Sequence, residues 1–239
     1  MIIQLALRLA ESRLVGVLAS FLFLSNFVTA NLFLSGFVDS GCCFFFALLI
    51  LYVHDKRFLL LLIVVFFGSL SKEVFLPVCA AYLGTYWLTT LWKEKTIDFK
   101  LLSYVTISVI TSTLTVIAIQ SFAAGHLVLP IDHAHNMRAS VVNFYPNFRP
   151  PLFYDSTDTI LRLGLMLGAI FALGFFSFGS LDQSLAFPLL SVMGVNLFFV
   201  IWISIDGGGI SRTFFIFFGP IFCVLAAKTL NRLLKSEGK

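Results

Sequence analysis

The chain has 239 residues, of which 59% are hydrophobic and 12% charged, with a formal net charge of +4. Its mean hydropathy is +0.99, more apolar surface than a soluble domain of this size can hide but no burden in lipid. The basic residues fall in short clusters between apolar runs rather than along a stripe, which excludes a nucleic-acid interface and reads as a set of topology signals.

A transmembrane helix needs roughly 20 apolar residues to cross a hydrocarbon core of about 30 Å. Eight candidate runs follow in chain order: Leu14 to Val38, Gly41 to Val53, Phe58 to Leu70, Phe75 to Trp92, Leu101 to Phe122, Ile160 to Phe178, Ala186 to Ile205 and Thr213 to Leu230. The first run is preceded by Arg8, Glu11 and Arg13 and has no small-residue cleavage site, so no cleavable signal peptide is expected. The stretch from Phe58 to Trp92 could be one helix or two. One helix would be about 52 Å long and would put Lys72 and Glu73 near the bilayer centre, where a charge costs about 3 kcal/mol. Two helices turning at Ser71-Lys72-Glu73 avoid both problems, and Pro77 then falls in a first turn, where its missing N–H matters least.

The loop charges orient the spans. Cytoplasmic loops collect Lys and Arg. With the N-terminus inside, the inside segments are the region of Arg8 and Arg13, then His54 to Arg57, Lys93 to Lys100, the turn Gly179 to Ser184, and the tail with Lys228, Arg232, Lys235 and Lys239. The fold class expected is therefore all-α, a polytopic membrane protein of about eight transmembrane helices with both termini cytoplasmic. Residues 1–239 form a single transmembrane domain, with a long extracytoplasmic loop over 123–158. Cys42, Cys43, Cys79 and Cys223 lie within apolar runs and read as small packing residues.

The same topology gathers the remaining ionisable residues on the outer side: Asp39, then Lys72 and Glu73, then the long loop, then Asp206 to Arg212. Such residues at membrane depth point to a site, although each has a simpler reading. Asp39 could cap the helix that opens at Gly41. Lys72 and Glu73 could form a wet turn, and Gly207-Gly208-Gly209 a flexible hairpin whose Arg212 snorkels to headgroups. In the long loop, Asp132, His133 and His135 offer carboxylate and imidazole ligands for a divalent metal, with His126 upstream. No further ligands at a recognised spacing accompany them, so no cofactor is firmly implied and a solvated loop is the simpler reading. The stretch Asn143 to Tyr154 mixes aromatics, Pro and Arg and reads as an interfacial loop.

The run from Asp39 to Trp87 resembles the central part of the GT-C superfamily of membrane glycosyltransferases, which includes protein O-mannosyltransferases and the lipid A aminoarabinose transferase. It has an Asp opening a span, a basic turn at His54 to Arg57, a short helix, and a Lys-Glu pair at Lys72-Glu73. Arg212, Pro220 and Ala226-Ala227 are similar to the C-terminal pattern of that superfamily. The resemblance implies sugar transfer from a polyprenyl-phosphate-linked donor on the extracytoplasmic face, in a bacterial plasma membrane. An acidic motif in the first outer loop, which typically supplies the catalytic carboxylate there, has no counterpart before Asp39. The chain thus looks like a member lacking its N-terminal portion, completed by a protein partner or acting as a non-catalytic relative.

Inverting transfer needs a carboxylate base and cations for the leaving phosphate. Asp39 and Glu73 are the candidate catalytic carboxylates, with Glu73 alternatively holding Lys72 in place. Lys72 and Arg212 are the candidates for the lipid phosphate, with Arg138 and Arg149 secondary. The rival class is a non-catalytic membrane subunit or transporter-like assembly partner. A transporter places its ionisable residues at the midplane, whereas here they gather at one edge.

Overall fold

The computed structural model describes residues 1–25, 37–129, 168–203 and 208–237, the backbone alone at 37–39, 197–203, 208–216 and 237. Among the described residues there are nine helices and no strand. They are α1 (Ile2–Ala10), α2 (Arg13–Leu24), α3 (Phe37–His54), α4 (Phe58–Ser71), α5 (Phe75–Glu94), α6 (Phe99–Ala124), α7 (Gly168–Phe178), α8 (Gln183–Ile203) and α9 (Gly208–Glu237). Two segments, Phe99–Ala124 and Phe217–Ser236, are long and apolar enough to cross a membrane.

The centre of the bundle is α9, where every residue from Phe217 to Ala227 is buried. It packs on α2, α3, α1 and α8, while α5 lies against α8 and α6, and α4 lies between α3 and α6. Phe222 stacks on Phe171 of α7 at a centroid distance of 4.3 Å, and Phe217 meets Phe46 of α3 edge-on at 5.2 Å. Such aromatic pairs add about 0.5–1.5 kcal/mol each to their area burial. Pairs of hydroxyls bond across apolar contacts, Ser69 with Ser112 at 2.5 Å and Ser177 with Thr229 at 2.7 Å. The outer surface remains strongly apolar. Phe122 is 92% exposed and Phe176 80%, and most of α6 faces outward, as suits lipid rather than water.

The expected turns at 54–57 and 71–73 are present. At the first, Arg57 N–H donates to the Tyr52 carbonyl at 2.8 Å and Lys56 N–H to that of Val53 at 3.1 Å. This Schellman arrangement holds Lys56 at φ 54°. The four cysteines are free and buried. Asp98 accepts from Leu101 N–H at 2.9 Å and so starts α6 at Phe99, slightly before the expected Leu101.

Three expectations are corrected. The run from Leu14 to Val38 is not one helix: α2 ends at Leu24, capped by Ser25, and Phe37 already belongs to α3. Asp39 is consequently the third residue of α3 rather than the cap before Gly41. The last helix opens at Gly208, ahead of the expected Thr213, so Gly208 and Gly209 are helical. Glycine is costly inside a helix, but the first turn lacks N–H partners in any case. The structure also adds α1, an amphipathic helix too short to register as a span. Of the expected run Ile160 to Phe178, the described part begins at Gly168.

Basic segments meet at one end of the bundle. Arg8 pairs with Asp55 at 3.1 Å. Lys93 pairs with Asp182 at 2.8 Å, and Lys228 donates to Ser180 Oγ at 2.9 Å. The bond from Lys93, then that from Ser184, holds the Asp182 carboxyl down to about 2. A carboxyl lowered in the folded state contributes stability above its ordinary value, lost as pH falls through the lowered one. Asp182→Asn is therefore expected to remove a stabilising increment that fades between about pH 4 and pH 2. Since the Asp182 side chain is 66% exposed, the increment stays below about 1 kcal/mol. Thermal melts across that pH range check it: identical slopes in mutant and wild type would refute the assignment.

Candidate functional site

Lys72 and Glu73 occupy the far end of the bundle, in the tight connection between α4 and α5. An apolar run with four consecutive leucines after Phe58 carries α4 to Ser71, and there Ser71 Oγ turns back to the Gly68 carbonyl at 2.6 Å. Lys72 adopts an extended backbone, φ −164° and ψ 137°, which ends the helix. Phe75 N–H then donates to the Lys72 carbonyl at 3.0 Å, and α5 begins. Pro77 is the third residue of α5, within its first turn as expected. Lys72 is half-buried and Glu73 exposed. The Glu73 carboxylate accepts from Gln120 Nε2 of α6 at 3.2 Å, so a bond across to α6 fixes it.

The openings of α3 and α9 lie at the same end. A methyl group placed on Gly41 would sit 3.3 Å from Ser71 Cβ, so the second turn of α3 touches the end of α4. The α3 and α9 chains run in the same direction, with Phe46 and Phe217 at one level. Asp39 lies seven residues before Phe46 and Arg212 five before Phe217. At 1.5 Å per residue their backbones stand at heights within about 3 Å of each other. The fold thus brings four sequence-predicted positions, Asp39, Lys72, Glu73 and Arg212, to one end. Asp206, Arg138, Arg149, Asp132, His133 and His135 lie outside the described residues. His126, just before them, contacts the Ala124 carbonyl through Nδ1 at 3.1 Å.

Two residues here escaped the sequence reading. Gln120 is the partner of Glu73. Asn196 of α8 is fully buried, and its amide has no hydrogen-bond partner among the described residues. Ser191 Oγ donates to the Ala81 carbonyl of α5 at 3.0 Å, and α8 antiparallel to α5 then carries Asn196 about 7.5 Å further, to the level of Leu76. That is one turn below Lys72. An amide isolated in an apolar run was the available signal, because a buried polar group without a partner costs about 1–3 kcal/mol.

Chemically, this end offers an ammonium, a carboxylate and amides at the rim of an apolar bundle. Such groups orient an anionic or hydroxyl-rich headgroup whose tail lies along the apolar wall. No protein-family model, no curated protein and no solved structure matches the chain.

Proposed function

We propose that the protein is an integral membrane protein of about eight spans with both termini cytoplasmic, and that its far end handles a polyprenyl-phosphate-linked sugar on the extracytoplasmic face. The supporting observation is the separation of charge along the bundle. The basic segments meet at one end through Arg8–Asp55 and Lys93–Asp182, while Lys72, Glu73 and the openings of α3 and α9 stand at the other. The basic end is the cytoplasmic one by the rule that such loops stay inside.

In this reading Lys72 and Arg212 neutralise the lipid phosphate, the former as a point charge and the latter as a bidentate fork. Arg138 and Arg149 of the long loop assist from above. Asp39 or Glu73 orients the acceptor or takes its proton, and Asn196 supplies an amide for sugar hydroxyls. The GT-C resemblance supplies the reaction class, sugar transfer off a polyprenyl phosphate, in a bacterial plasma membrane. A protein partner carrying the acidic first-loop motif would complete the catalytic set.

The test is retention of radiolabelled polyprenyl-phosphate hexoses by the purified chain in liposomes, with membrane-impermeant thiol labelling of single-cysteine variants at Lys56 and Glu73. Donor is expected to bind, with position 73 labelled by external reagent in right-side-out vesicles and position 56 by external reagent in inside-out vesicles. No binding to any prenyl-phosphate sugar would sink the reading. Binding without transfer to any acceptor would identify a non-catalytic subunit.

A further inference from the structure

The basic end holds a cavity of about 310 Å³ between the α3–α4 turn, α5 and the α7–α8 turn. Its lining includes Arg8, His54, Lys56, Tyr82 and Tyr86. Tyr82 is fully buried, and its hydroxyl has no hydrogen-bond partner among the described residues. An orphaned hydroxyl is costly in the folded chain alone, and a ligand acceptor in the cavity removes the cost.

Charge indicates what that ligand is. The acids near the cavity are already committed. Asp182 is held by Lys93 and Ser184, and Asp55 by Arg8 at 3.1 Å and His54 at 3.6 Å. Lys56 is exposed and has no side-chain partner among the described residues. Arg8 uses one Nη for Asp55 and is half exposed, leaving further N–H donors. Asp182 also lines the cavity, but its charge is offset by Lys93; the unbalanced charge is that of Lys56, and Arg8 and the tyrosine hydroxyls add donors beside it.

The backbone adds a separate observation. Lys56 occupies the left-handed position of a Schellman turn at φ 54°, which glycine fills without strain. Glu11 and Lys95 close their helices in the same conformation, at φ 52° and 53°, so the strain at Lys56 bears on stability and not on ligand choice.

We infer that this cavity binds a phosphoryl group, with Lys56 and Arg8 supplying charge and the Tyr82 hydroxyl donating from the floor. The volume lies at the low end of the range for small-ligand pockets, about 300–1,000 Å³. That suits a phosphate monoester or a phospholipid headgroup. A second groove shares Arg8 and is lined by Leu7, Leu48, Leu51 and Tyr52 together with Gln4, Asp55 and Arg57, a mixed polar and apolar surface beside the same cation. The inference is independent of sugar transfer at the other end; only its headgroup form rests on the membrane reading.

The experiment uses the full chain in phosphatidylcholine nanodiscs, titrated with inorganic phosphate, and in matched nanodiscs containing phosphatidic acid. Thermal stabilisation by inorganic phosphate identifies a soluble ligand class. Stabilisation by phosphatidic acid alone identifies a headgroup. Lys56→Gly is expected to raise the melting temperature without ligand, because the left-handed strain is relieved, while weakening the ligand response about tenfold or more. Tyr82→Phe, which removes one oxygen, is expected to weaken the response in the same way. The inference is overturned if neither probe stabilises the wild type, or if both variants respond as the wild type does.

Discussion

Gly68→Ala is expected to destabilise the bundle by about 1–3 kcal/mol, although alanine is the better helix former by about 1 kcal/mol. The added methyl would lie 2.4, 2.5 and 2.7 Å from three ring atoms of Phe75. That ring is fully buried, and only a three-residue connection separates α4 from α5, so the helices cannot part freely. Overpacking must therefore outweigh propensity. Gly174→Ala belongs with it, since its methyl would lie 2.4 Å from Phe222 Cδ1. Gly84 has open space around its missing side chain, and Gly84→Ala is expected to be neutral or stabilising. Unfolding in mixed detergent micelles compares the three. In the Phe75→Leu background the cost of Gly68→Ala is expected to shrink, because the ring that it strikes is gone. Equal stability of Gly68→Ala and Gly84→Ala would show that the close approach is not enforced.

Lys72→Ala and Arg212→Ala are each expected to abolish donor retention by the purified protein, a loss of tenfold or more from about 1.5–3 kcal/mol per charge-assisted contact. Lys72 stands at an extended, helix-ending position in the α4–α5 connection, so its substitution removes no residue from either helix. Unchanged melting temperature beside lost binding would separate a phosphate contact from a folding role. Lys72→Arg keeps the charge and is expected to retain part of the affinity. Unaltered binding in both alanine variants would remove the phosphate assignment.

The middle of the chain was readable because its chemistry is one-dimensional. Charges at His54 to Arg57, Lys72-Glu73 and Lys93 to Lys100 interrupt apolar runs, and helices end where burying a charge would cost most. That cost, with the excess length of a single helix, divided Phe58 to Trp92 into α4 and α5. Elsewhere the linear signal misled. The apolar run after Leu14 concealed the end of α2 at Leu24, since Ser25 and Asn26 carry no charge to mark a break. The three glycines at 207–209 looked like a breaker, yet two of them are helical at the start of α9. Helix α1 has 9 residues, too few to register as a span, and its burial depends on packing against α2, α3 and α9. Glu73–Gln120, the level of Asn196 and the cavity over Tyr82 all join residues dozens of positions apart. No periodicity within one helix announces such pairings.

The lengths of α4 and α6 differ in a way that reaches the surrounding lipid. Helix α4 has 14 residues and so measures about 21 Å, while its neighbour α6, with 26, measures about 39 Å. Against a hydrocarbon core of about 30 Å, the first is too short and the second long enough to tilt. In the proposed membrane placement a bilayer meeting both thins beside α4, and a dip of the headgroup layer toward Lys72 is one way to do so. An isoprenoid phosphate would then reach the ammonium without its charge leaving the interfacial zone. In that placement acyl-chain length would act on the proposed site: longer lipids would fill the dip and raise the energy of that descent, whereas shorter ones would flatten the path.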